Sequence, residues 1–255
     1  MIDIHSHLLY GLDDGARSFD ISLEMAKMAQ ESGTTDIVAT PHANSAFDFA
    51  PDLIAGRIQE LQAAAGDGIK IHRGCDCHLS VQNIQAAMRE PERFSINGLC
   101  YLLVEFPEES LFQGSEQIFK SLKSVGLTPI VTHPERNAHL ASDIPRLRRW
   151  VESGIPLQIT AQSILSDFGP GIARWCLDVM KEGLVHFVAS DAHDLLRRPP
   201  KLDRAWTFLA GKFGEAYAEA LLNDHPRAVI EGEPLDIRPF RPEAPKKRRW
   251  FQFGA

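Results

Sequence analysis

Two rhythms of apolar and polar residues alternate along the chain. Short, nearly continuous apolar runs rich in β-branched residues recur at IDIHSH (2–7), TDIVATPH (35–42), GIKIHRGCD (68–76), YLLVEFP (101–107), TPIVTHPE (128–135), IPLQIT (155–160) and VHFVASDAH (185–193). Each has the length of a buried strand. Between them, apolar residues return every three to four positions. In SFDISLEMAKMAQESG, Ile21, Met25 and Met28 share one face and Gly33 stops the pattern, as expected of a helix and its end. APDLIAGRIQELQAAAG, GSEQIFKSLKSVG, DIPRLRRWVESG and GPGIARWCLDVMKEG read the same way. Alternating strand and helix with buried strands predicts a parallel sheet. GLDDG and GPG lack the glycine spacing of a dinucleotide-binding turn, so seven strand–helix units fit a (β/α) barrel better than an open sheet. No repeat or linker interrupts the pattern before about residue 236. The expected division is one domain over residues 1–238 and a basic, aromatic, flexible tail over 239–255.

The unusual polar residues fall at the ends of these strands. His5 and His7 end the first, His42 the second, Asp76 the third, Glu105 the fourth, His133 the fifth, and Asp191 with His193 the seventh. In a β/α barrel those ends share the face that carries the chemistry. A lone histidine is usually a surface or satisfied core residue, which is the reading for His72, His78, His139, His186 and His225. His-x-His on a strand differs, because period two turns both imidazoles to one side, where burial is costly unless something binds them. Asp13 and Asp14 in GLDDG suit either a turn or a metal ligand.

Composition narrows the chemistry further. The 255 residues are 44% hydrophobic and carry a formal net charge of −7, which disfavours nucleic acid as the main partner. There is no apolar run long enough to span a membrane and no signal-peptide pattern at the start. Cys75, Cys77, Cys100 and Cys176 form neither a CxxC pair nor a disulfide framework, so a reducing, cytoplasmic setting is expected. Five imidazoles and the four carboxylates of Asp14, Asp76, Glu105 and Asp191 are too many ligands for one metal ion and enough for two or three. Such a site favours a dianion such as a phosphate monoester. Arg136 and Arg198 lie in loops at the same face and suit phosphate oxygens, with Arg197 the alternative to Arg198.

Taken together, MIDIHSH, GLDDGA, TPH, VEFP, PIVTHPERN, LQITAQSI and FVASDAH resemble the polymerase and histidinol phosphatase (PHP) superfamily. Within it the chain is most similar to the metal-dependent protein-tyrosine phosphatases of bacterial capsule and exopolysaccharide loci, the CpsB/YwqE type. The resemblance runs in order from residue 1 to about 235. It implies a PHP-type distorted (β/α)7 TIM-like barrel with three divalent ions, manganese first and iron or zinc as alternatives, at the C-terminal ends of the strands. It also implies hydrolysis of phosphotyrosine without a cysteine nucleophile, on a membrane-associated bacterial tyrosine kinase that controls polysaccharide export. His5, His7, Asp14, His42, Glu105, His133, Asp191 and His193 match the family's metal ligands, and Arg136 and Arg198 its phosphate-binding arginines.

The chain departs from that pattern in three places. Asp76 stands where the family has a bridging glutamate, one methylene longer, and Cys75, Cys77 and His78 flank it. Ala43 replaces a second histidine after TPH, and the first helix lacks the family's arginine-rich oligomer motif, which leaves oligomerisation open. The expected mechanism is attack on phosphorus by metal-activated water with no covalent intermediate. Rival readings are another PHP phosphoesterase, histidinol phosphatase-like or nucleotide-directed; a metal-dependent DNase; and a catalytically reduced binding module. The tail sequence KKRRWFQF reads as a solvated end or as a weak contact with an anionic membrane.

Overall fold

A computed structural model describes residues 1–107 and 114–242. The apolar runs form nine strands: β1 (Ile2–Ser6), β2 (Asp36–Ala39), β3 (His42–Ala43), β4 (Lys70–Arg73), β5 (Asp76–His78), β6 (Tyr101–Glu105), β7 (Thr128–Thr132), β8 (Leu157–Thr160) and β9 (Val185–Ala189). Every pairing among them is parallel, in the orders β1-β2-β4 and β3-β5-β6-β7-β8-β9. The fold is therefore α/β with parallel sheets.

Nine segments arise from seven runs because two runs are interrupted. Pro41 has no N–H to give the ladder, and β2 and β3 lie on either side of it. Gly74 and Cys75 separate β4 from β5 in the neighbouring run. Hydrogen bonds cross both breaks, from Gly74 N–H to Ala39 O (2.8 Å) and from Asp76 N–H to Pro41 O (3.1 Å). The far end of the order also returns to its start. Ser6 bridges Ala192 in parallel, His7 N–H donates to Ala192 O (2.8 Å), and Asp191 N–H donates to His5 O (2.8 Å).

Helices form where the 3.6-residue rhythm predicts them. Phe19–Glu31 begins at Ser18, whose side chain accepts from Ile21 N–H, and buries Met25, Ala26 and Ala29. Pro51–Ala65, Ser115–Ser124, Ile144–Glu152 and Pro170–Glu182 follow the other periodic stretches. The largest hydrophobic cluster packs Leu147, Trp150, Cys176 and Met180 from these helices against Leu102, Val104, Val131 and Leu157 of the sheet. A second cluster joins Met25, Ala26, Ile54 and Leu61 to β2 and β4, and a third joins β1, β6, β7 and β9 to Ile96, Val229 and Ile230. Phe240, inside the stretch expected to be tail, stacks on Tyr217 at 5.3 Å and donates its N–H to Gly183 O (2.8 Å). The KKRRWFQF segment lies outside the described residues. Among the described residues no helix is long and apolar enough to cross a membrane.

Candidate metal centre

The parallel strands deliver their C-terminal ends to one place, and the nine candidate ligands gather there. Asp76 Oδ2 lies 3.5 Å from His5 Nε2 and 3.2 Å from His42 Nδ1. Glu105 bridges sideways, 3.4 Å from His42 Nδ1 and 3.5 Å from His133 Nε2. Asp191 Oδ1 stands 3.4 Å from both His5 Nε2 and His7 Nε2. Asp14 Oδ1 reaches His42 Nε2 at 3.5 Å and His193 Nε2 at 3.4 Å. Three overlapping groupings have ligand atoms within 4.8 Å of one another: His7, Asp14, His42 and His193; His5, His7 and Asp76; and His42, Asp76 and Glu105.

The chemistry of these atoms calls for a cation. His7 Nδ1 donates to Asp13 Oδ2 (2.7 Å) and His5 Nδ1 donates to Gln158 Oε1 (2.9 Å). Those bonds place the lone pair of each neutral imidazole on Nε2, and the two Nε2 atoms face each other at 3.3 Å. Two lone pairs cannot bond each other, whereas a metal ion accepts both. Both Asp76 oxygens are buried and accept no hydrogen bond among the described residues, with the His5 and His42 nitrogens their nearest ion-pair neighbours, so an ionised Asp76 needs positive charge close by. The residues present therefore fit divalent ions, with mixed imidazole and carboxylate donors suited to manganese, iron or zinc.

The electrostatics agree. Burial opposes charging His5 and His42, yet the surrounding carboxylates, Asp191 and Asp76 for one and Asp76 and Glu105 for the other, raise them to about 9 and about 10. Burial and the neighbouring Asp76 push Glu105 up to about 7. Burial, reinforced by Arg136, holds His133 well below its ordinary range. Without bound ions, protons on imidazoles supply positive charge that the carboxylates demand.

Local structure explains how the ligands are held. Gly15 closes the DDG loop so tightly that an added Cβ would stand 2.2 Å from His7 O. Its N–H donates to Asp13 Oδ1 (3.0 Å), and Asp13 Oδ2 also accepts from His42 N–H (3.1 Å). His133 and Asp191 both adopt left-handed backbone, at φ 30° and 51°. Such strain in non-glycine residues concentrates at functional sites.

Arg136 and Arg198 both reach Asp191 Oδ2, while their side chains stay 25% and 23% exposed. Arg197 instead turns to a neighbouring recess. Cys75 and Cys77 are fully buried in the main hydrophobic cluster and His78 joins no ligand grouping. His72, His186 and His225 are occupied elsewhere: His72 with Asp36 and Asn97, His186 with Arg238 O, and His225 with His186 O.

Asp13, read from the sequence as a turn residue or a ligand, instead orients His7. Two contributors escaped the sequence reading: Gln158 orients His5, and buried Glu135 accepts from Thr160 N–H (2.8 Å) and Ser163 Oγ (2.7 Å), tying the loop after β7 to β8. Gln158 lies on the one expected strand that supplies no ligand, and its alternation with Thr160 along LQIT was the available signal.

The chain resembles known proteins over almost its whole length. The family model for "Capsular polysaccharide synthesis, CpsB/CapC" matches residues 1–231. CapC of Staphylococcus aureus is 35% identical over 78% of this chain and 79% of its own. The tyrosine-protein phosphatase YwqE of Bacillus subtilis (strain 168) is 31% identical over 99% of this chain and 100% of its own. A solved structure from the set of YwqE from Bacillus subtilis and CpsB from Streptococcus pneumoniae, described as metal-dependent tyrosine phosphatases, superposes with a TM-score of 0.88 at 29% identity, covering 96% of this chain and 100% of that one.

Proposed function

Because the chain belongs to the CpsB/CapC family, we propose that it is a metal-dependent protein-tyrosine phosphatase acting in capsular or exopolysaccharide synthesis. The observation that carries this reading is the pair of facing imidazole nitrogens and the buried Asp76 carboxylate, which accepts no hydrogen bond, set beside two arginines that converge on Asp191. In this reading His5, His7, Asp14, His42, Asp76, Glu105, His133, Asp191 and His193 hold three divalent ions, manganese first. The parallel strands, with Ser6 bridged to Ala192, support a PHP-type distorted seven-stranded barrel over residues 1–238.

Divalent ions at such a site bring water's pKa toward neutrality and offset the charge of a phosphate dianion. The side chains do the rest. Arg136 and Arg198, already aimed at one carboxylate oxygen, exchange it for phosphate oxygens and fix the phosphoryl group by bidentate hydrogen bonds. Asp13 and Gln158 hold His7 and His5 in the tautomers that leave Nε2 free. Water attacks phosphorus in line and the tyrosine phenolate leaves. The thiols beside Asp76 serve no nucleophilic role, since burial pushes the Cys75 thiol well up and Cys75 and Cys77 are sealed from solvent.

The substrate class is a phosphotyrosine protein, with a membrane-associated tyrosine kinase the natural candidate and the cytoplasm the setting. The test is a substrate panel. Purified protein with manganese should hydrolyse phosphotyrosine peptides far faster than phosphoserine peptides, histidinol phosphate or nucleotides. Chelated protein and His42→Ala should lose at least ~100-fold of that rate. Full activity after chelation defeats metal dependence, and a preference for histidinol phosphate or nucleotides selects the alternative PHP phosphoesterase.

A further inference from the structure

The surface opens into a recess of about 670 Å3 whose lining includes Asp14 and His193 of the candidate ligand cluster. Its apolar wall is Ile21, Leu195 and Leu196. Leu196 is 90% exposed, the most exposed large hydrophobic residue among those described. Water is a poor neighbour for such a side chain, and a loop would not hold it there by accident of flexibility. Asp194 Oδ1 accepts from the N–H groups of Leu196 (2.7 Å), Arg197 (2.6 Å) and Arg198 (3.3 Å), while Arg198 O accepts from His193 N–H (2.9 Å). The loop is thus prebuilt, with Leu196 presented outward.

Two cations belong to the same lining. Arg17 and Arg197 line the recess, and neither pairs with a carboxylate among the described residues. Of the two carboxylates in that lining, Asp14 faces the ligand cluster and Asp194 spends Oδ1 on three N–H groups. The recess therefore reaches from the cluster, where Arg198 meets Asp191, to Arg197. An apolar wall with two unpaired arginines is complementary to an extended peptide carrying both apolar and acidic side chains.

We propose that this shelf, lined by Ile21, Leu195, Leu196, Arg17 and Arg197, receives the acidic and apolar residues that flank the phosphotyrosine of a protein substrate. The inference rests on the tyrosine phosphatase reading and adds a sequence preference to it.

The experiment separates binding from turnover. Binding of the full-length, manganese-supplemented protein is read by fluorescence anisotropy, using peptides with a non-hydrolysable phosphotyrosine mimic flanked by Asp and Glu, by Ala, or by Lys. Two exposed ion pairs at modest strength predict that wild type binds the acidic peptide about tenfold more tightly than the lysine peptide. The preference should shrink in high salt. Arg17→Glu with Arg197→Glu should reverse the order, Arg17→Gln with Arg197→Gln should level it, and Leu196→Ser should weaken all three peptides alike. Equal binding of the three peptides by wild type, or a preference that survives charge reversal, overturns the shelf. Hydrolysis of the matching phosphotyrosine peptides is measured in parallel. Preferential binding without hydrolysis defeats the phosphatase reading and leaves the shelf standing, while hydrolysis with indifferent binding does the opposite.

Discussion

His5 and His7 show how far single residues could be read in advance. Their spacing of two placed both rings on one side, and the structure sets their Nε2 atoms 3.3 Å apart. What spacing could not show was their support, because Asp13 and Gln158 act through geometry that exists only after strands from distant parts of the chain meet. Asp76 is the residue on which the ligand reading is most exposed, being shorter than the family glutamate and yet within reach of two imidazoles. Asp76→Asn keeps the shape and removes the charge. It should cut bound divalent metal, measured by mass spectrometry, by roughly 10- to 100-fold while circular dichroism stays unchanged. Undiminished metal content would remove Asp76 from the ligand set. His186 makes a different prediction, since burial lowers it from its ordinary 6.5 to about 4. Between those values the unfolded chain takes up a proton that the folded chain refuses. The stability present above pH 6.5 is therefore lost as the pH falls toward 4, by up to ~3 kcal/mol from this side chain. His186→Gln, which can still donate to Arg238 O, should lose about 2 kcal/mol less than wild type between pH 7 and pH 5 in urea titrations. Equal losses would show that other groups dominate.

Elements were legible wherever their rhythm was unbroken. All seven apolar runs became strand, and the five periodic stretches became helix. The two interrupted runs were not legible as such, because the break depends on Pro41 and on ladder bonds to a neighbouring strand. Loops were the least readable level. Glu135 and Asn137 of HPERN look like ordinary loop polar residues in sequence. In the fold Glu135 ties the loop after β7 to the end of β8, and Asn137 caps the Ala138–Ala141 turn while donating to Pro107 O (2.9 Å). The DDG loop allows a sharp test. Because a Cβ on Gly15 would collide with His7 O, Gly15→Ala must displace the segment that carries Asp13 and Asp14. The expected cost is about 1–3 kcal/mol in chemical denaturation together with a large loss of phosphatase activity. A variant with wild-type stability and rate would mean that the loop holds no ligand in place.

At the scale of the molecule, the α/β class followed from alternation, and the gathering of chemistry from the polar residues that end the strands. The packing of Phe240 on Tyr217 was not legible, because it depends on a single aromatic that resembles the rest of a basic, aromatic segment. The whole fold should also feel its ions. Divalent metal present at about 100 times its dissociation constant adds ~2.7 kcal/mol to stability, so chelation should lower the thermal midpoint by several degrees and re-addition should restore it. A midpoint indifferent to chelator would place the ions, if bound, outside the folded framework.

The return of the chain's late segment to its first strand has one more consequence. Ser190 N–H bonds the Asp3 carboxylate across 187 residues, and the proposed ligands run from His5 to His193. During synthesis the first histidines emerge long before the residues that complete their surroundings. With the proposed ligands divided in this way, a chain truncated before Asp191 should bind no metal at full strength and show no phosphatase activity, which metal analysis and an activity assay on the truncated protein would check.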